Sequence, residues 1–84
     1  MILVREVVRR MAMKLVPVES SMLLAVGYDA ASKELEAVFS SGAVWRYREV
    51  PRKVYRELLA AESKGSYMQS YVIGAYPEYR LRRR

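Results

Sequence analysis

Residues 34–48, Glu34-Leu-Glu-Ala-Val-Phe39-Ser-Ser-Gly42-Ala-Val-Trp45-Arg-Tyr47-Arg48, decide how this chain folds. From Glu34 to Phe39 charged and apolar residues alternate, the period of a half-buried strand with Leu35, Ala37 and Phe39 inward. Ser40-Ser41-Gly42 is a hairpin turn, with Gly42 at the position that needs a positive φ. Residues 43–48 return as a second strand. On it Trp45 and Tyr47 share one face, while Val44, Arg46 and Arg48 share the other. Buried unpaired arginine is too costly, so the arginines face water and both rings face the rest of the protein. Arg46 and Arg48 then lie within reach of Glu34 and Glu36 across the hairpin.

Moving outward, residues 22–28 form a short apolar run that reads as a preceding strand. Asp29-Ala30-Ala31-Ser32 is the turn between them, with Asp29 in an Asx-type backbone bond. Residues 2–15 space their apolar side chains as in an amphipathic helix. Val7 and Val8 keep a strand open as the alternative, and Pro17 ends any helix there.

On the other side, Val50-Pro51 opens a helix with Pro51 at its first position and Glu49 favourably placed before it. It is expected to run to about Ser63, turning Val54, Leu58 and Ala61 to the core and Arg52, Lys53, Arg56 and Glu57 to solvent. Gly65 reads as its stop, with Lys64 in the last turn. Ser66-x-x-Gln69 then matches a capping box for a second short helix that ends by Tyr76, before Pro77. Tyr79 and Leu81 alternate with Arg80 and Arg82, as in a last edge strand. The expected class is α+β: a small antiparallel β-meander with two C-terminal helices packed on one face. Residues 1–15 are an extension, 16–79 the domain and 80–84 a basic tail.

Composition narrows the function. The chain has no Cys and no His. That disfavours zinc sites and removes Cys-His and Ser-His-Asp nucleophile systems. The four glycines are scattered singly, so there is no phosphate-cradling loop, and no carboxylates stand in an acid–base spacing. No apolar stretch is long enough for a signal peptide or a membrane span. A cytoplasmic, non-enzymatic binding module without a cofactor or metal is expected.

The net charge is +6, which suggests a nucleic-acid partner. Its distribution is uneven. Residues 1–14 carry four basic and one acidic side chain, a net of +3, and residues 80–84 carry four arginines, a net of +4. The middle holds seven basic and eight acidic side chains, a net of −1. The candidate phosphate contacts are therefore Arg80, Arg82, Arg83 and Arg84, with Arg46, Arg48, Arg52, Lys53 and Arg56 as a basic edge. The bland reading of that edge is a solvated face with internal ion pairs. Trp45 and Tyr47 read as core, with a stacking platform for bases as the alternative.

The run Ser20-Ser21, Gly27-Tyr28-Asp29, Phe39, Gly42, Trp45-Arg46-Tyr47, Val50-Pro51, Tyr55, Ala61, Ser63, Gly65, Tyr67 and Tyr76 resembles the KTSC domain. That family is named for its occurrence at the C-terminus of some lysyl-tRNA synthetases. Trp45 stands where the family's Tyr-x-Tyr has its first Tyr, and Met68-Gln69 where its Ser-x-Gly-x-Tyr-Phe-Asn element has Phe-Asn. The resemblance implies the fold above and RNA as partner. The second function considered is a protein-interaction or self-association module, served by the Tyr-rich residues 67–79 and the amphipathic N-terminus.

Overall fold

The computed structural model describes residues 14–81. Five antiparallel strands form one sheet: β1 Leu15–Pro17, β2 Leu23–Asp29, β3 Glu34–Phe39, β4 Val44–Tyr47 and β5 Glu78–Arg80. Their order across the sheet is their order in the chain. The expected hairpin is its centre. Leu35 pairs with Tyr47, Glu36 with Arg46 and Ala37 with Trp45, and Gly42 turns the chain at φ 96°. Pro17 ends the edge strand β1, a position where its missing N–H breaks no ladder on the open side. The helix considered for residues 2–15 lies almost wholly outside the described residues; Leu15 itself belongs to β1.

Between β4 and β5 the chain makes α1, Arg52–Ala60, then α2, Lys64–Tyr67, which passes into a π-helical turn over Met68–Val72. Pro51 precedes α1 by one position and carries no side-chain cap. These elements cover one face of the sheet. Leu58, Met68, Val72 and Val50 close over Leu23, Val26, Leu35, Ala37 and Tyr47, all buried. Burying each of the valine, leucine and methionine side chains stabilises the fold by about 1.5–3 kcal/mol. Among the described residues, no helix is long and apolar enough to cross a membrane.

The helical segment departs from the expected boundaries. α1 stops at Ala60, and the cap of α2 is Ser63, whose Oγ accepts from the Ser66 N–H at 3.2 Å. Ser66 is thus inside the helix, and Gly65 is its second residue rather than a stop. The reason is tertiary. A Cβ at Gly65 would stand 3.1 Å from Met22 Sδ and 3.2 Å from Met22 Cβ, tighter than ordinary contact, so a side chain there would push on Met22 just before β2. Lys64, expected in the last turn of α1, opens α2 and donates from Nζ to the Ala61 carbonyl at 2.9 Å. The helical run ends at Val72, short of Tyr76, and Gly74 follows at φ 84°.

Candidate nucleic-acid interface

The candidate basic residues divide into three groups. Arg46 sits on the uncovered face of the sheet, where Nε donates to Glu36 Oε1 at 2.8 Å and Nη1 to Glu34 Oε1 at 3.3 Å. Burial alone would lower its pKa, but the bond to Glu36 and then that to Tyr79 outweigh it and hold the guanidinium firmly charged. Its charge is spent inside the sheet. Arg48 is exposed, and its guanidinium lies 5.9 Å over the Tyr79 ring. Its expected meeting with Glu34 and Glu36 is not formed, because both carboxylates point to Arg46.

Arg52, Lys53 and Arg56 form the second group. All are exposed and stand at i, i+1 and i+4 on α1, with Arg56 next to both of the others on the helix surface. Two of them occupy the first turn, where cations oppose the helix dipole and cost about 0.3–1 kcal/mol each. No acidic residue lies in that turn. Among the described residues the ion pairs are both made by Arg46, which leaves this face without carboxylate partners. Lys33 joins it, a residue sequence reasoning left out. Its carbonyl accepts from the Val50 N–H at 2.9 Å, so its backbone lies beside the start of α1. That pairing is invisible in sequence, and Lys33 adopts φ 60° to make it.

Arg80 is the third group. It does not begin a free tail: it lies in β5, paired with Trp45, and Leu81 N–H donates to the Val44 carbonyl at 2.8 Å. Removing Arg80 would therefore cut into the sheet. Arg82, Arg83 and Arg84 lie outside the described residues.

Trp45 is neither wholly core nor a bare platform. It faces the covered side of the sheet, as expected, but it is half-buried, packed against the core without being enclosed by it. There it forms a wall of an open cleft of about 380 Å³ with Met22, Phe39, Tyr47 and Ile73. Ser41 and Glu78 supply the polar rim. Tyr47 is 2% exposed. Burial, with the Glu78 charge adding, pushes its hydroxyl up to about 12. The cleft was missed from sequence because its walls come from β3, β4, β5 and the residues just before β2 and just after the π-turn.

Most other motif residues hold the frame. Ser20 Oγ accepts from the N–H groups of Met22 and Leu23 at 3.1 and 3.2 Å. The Ser21 carbonyl accepts from Ser40 Oγ at 2.9 Å. Gly27 is buried between Leu15 of β1 and Glu36 of β3. Tyr28 donates to the Val50 carbonyl at 2.6 Å and stacks on Tyr55, centroids 5.2 Å apart. Asp29 Oδ1 accepts from the Ala31 N–H at 3.0 Å, the expected Asx turn. Pro51 sets the start of α1, and Tyr67 donates to Glu57 Oε1 at 2.7 Å.

The model of the KTSC domain matches residues 19–76. The chain belongs to the KTSC domain family. A protein of Tsukamurella paurometabola is 48% identical over 56 residues, spanning 67% of this chain and 84% of that protein. One from Stutzerimonas stutzeri is 49% identical over 53 residues, 63% of this chain and 75% of that protein. A lysine–tRNA ligase of Nostoc sp. is 34% identical over 65 residues, 77% of this chain but only 12% of the ligase. The crystal structure of a KTSC domain protein from Yersinia pestis superposes with a TM-score of 0.81 at 30% identity. It covers 83% of this chain and 99% of that one. The α+β architecture is thus the KTSC fold, and the motif residues above are its framework.

Proposed function

We propose that this KTSC domain is a non-enzymatic binding module whose partner is RNA. The observation that carries the reading is the face of α1 where Arg52, Lys53 and Arg56 stand exposed without carboxylate partners among the described residues. Cations placed against a helix dipole destabilise the free domain, and phosphate oxygens would reverse that sign. Arg48, just past β4, and Arg80, in β5, add exposed charge. A relative that contains such a segment is a lysine–tRNA ligase, an enzyme whose name couples it to tRNA. A framework of stacked tyrosines and capped turns supports a binding surface, and the function needs no reaction.

The test is a titration of labelled single-stranded RNA by fluorescence anisotropy at several salt concentrations. Phosphate contacts release counterions, so log affinity falls linearly with log salt by about 0.7 per contact on single strands. Replacing Arg52, Lys53 and Arg56 with Gln is expected to flatten that slope by about 2, while Arg46→Gln leaves it nearly unchanged. Absence of binding by the intact chain at low salt overturns the proposal. The second reading, a protein-interaction module, draws on exposed Leu15, Val16 and Leu24 of the β1–β2 pair. A mass that rises with concentration in nuclease-treated protein would favour it.

A further inference from the structure

The cleft beside Trp45 has a chemistry that the basic surface lacks. Its walls are aromatic and aliphatic: Met22, Phe39, Trp45 and Ile73. Glu78 stands at its edge, and its carboxylate accepts only a long bond, 3.4 Å, from the Gly74 N–H. In the β4–β5 ladder Glu78 lies opposite Tyr47 and Arg80 opposite Trp45. Side chains paired across a ladder share a face, so Arg80 projects on the cleft's side of the sheet. Arg82, Arg83 and Arg84 follow directly in sequence.

We propose that this cleft is a nucleobase pocket, taking an unpaired guanine against Trp45 with its Watson–Crick edge toward Glu78, while Arg80 meets the adjoining phosphate. This rests on the RNA reading above and adds what the site reads. The apolar walls require a flat or greasy occupant, and every base has a π-face, with stacking contributing on the order of tenfold in affinity per base. The carboxylate only accepts hydrogen bonds, so the occupant must bring donors. Guanine offers two side by side, N1–H and the N2 amine. Cytosine, adenine and uracil each offer one donor group. Only an unstacked, single-stranded base exposes that edge. A lysine or arginine from a protein would also bring donors to Glu78, but Arg80 on the same side of the sheet repels it and attracts a phosphodiester.

Trp45 is the chain's single tryptophan, so its emission reports occupancy directly. The experiment titrates the full chain with an oligouridine and with the same oligomer carrying one central guanosine, following both anisotropy and tryptophan emission. The expected result is quenching on binding and about tenfold tighter binding of the guanosine oligomer, the discrimination of a bidentate base contact. Glu78→Gln should bring the two affinities within about twofold, without weakening oligouridine binding. Trp45→Phe, which keeps a stacking ring, should retain the guanosine preference, and circular dichroism verifies the fold of both variants. RNA binding with unchanged emission, or a guanosine preference that survives Glu78→Gln, overturns the pocket and leaves the RNA reading standing. No RNA binding at low salt, with emission instead responding to an arginine-containing peptide, overturns both.

Discussion

Tyr28 and Val50, 22 residues apart, are joined by a hydrogen bond of 2.6 Å from the tyrosine hydroxyl to the valine carbonyl. Val50 also donates its N–H to the Lys33 carbonyl at 2.9 Å. The segment leading into α1 is thereby fixed to β2 through Tyr28 and to the β2–β3 connection through Lys33, with Lys33 and Glu49 both at φ 60°. Tyr28→Phe keeps the stack on Tyr55 and removes only the bond. It is expected to cost about 1 kcal/mol, and thermal unfolding should move down by about 4–8 °C. Hydrogen exchange at the Val50 amide should quicken in step. An unchanged midpoint would mean that the Val50 carbonyl finds water at no cost.

Arg46 and Glu36 form a pair that resists removal from one side. Glu36 is only 8% exposed, so Arg46→Met strands a carboxylate among β2, β3 and β4. The expected loss is about 1–3 kcal/mol. Adding Glu36→Leu to the same chain should recover most of it, since replacing both charges by apolar groups is often close to neutral. Chemical denaturation of the two single variants and the double gives the coupling. Additive losses would show that the pair does not act as a unit.

The two serines at the start of α2 are not equivalent. Ser63 Oγ accepts from the Ser66 N–H, and its own hydroxyl donates to Ser66 Oγ at 2.9 Å. Ser63→Ala should cost about 1 kcal/mol as the loss of a cap. Ser66→Ala removes a hydroxyl already inside the helix and should cost a few tenths. Denaturation midpoints of the two variants decide the assignment, and the reverse order would place the cap at Ser66.

Alkaline pH should weaken the domain in a defined window. Burial raises the Tyr47 hydroxyl from 10.0 to about 12. Tyr67 rises to about 12 as well, through desolvation and then its bond to Glu57. A pKa raised on folding means that the folded chain still holds protons the unfolded chain has released. The stability involved is complete below pH 10 and is lost as pH climbs from 10 toward 12. Unfolding midpoints measured across that range should fall, and Tyr47→Phe should make the fall shallower. An identical decline in that variant would assign the effect elsewhere.

The hairpin was legible because two local signals agree there: alternation of period two and a turn with glycine where φ must be positive. Its register followed from which side chains tolerate water. The helix ends were not legible, because a long-range contact fixes them. Gly65 carries the marks of a helix stop in sequence, yet it is a helical residue whose missing side chain makes room for Met22, more than forty positions earlier. Once Gly65 enters the helix, the cap moves from Ser66 back to Ser63. The basic candidates were legible as residue types, whereas their availability was not. Arg46 is consumed by two carboxylates, and Lys33 is brought to the start of α1 by one backbone bond. The cleft was beyond reach altogether, since its wall residues run from Met22 to Glu78 with no shared periodicity.

Because the strands lie across the sheet in chain order, the segments leading into β1 and out of β5 emerge at opposite margins. Four strand spacings, roughly 19 Å, separate those margins. A tether joined ahead of Leu15 thus arrives at the margin remote from Trp45 and Arg80, and whatever it carries need not obstruct them. The unit is portable in the mechanical sense: it can be hung from a larger protein by its β1 side and still present its β5 side outward. In two lysine–tRNA ligases a matching segment occupies 12% of the length.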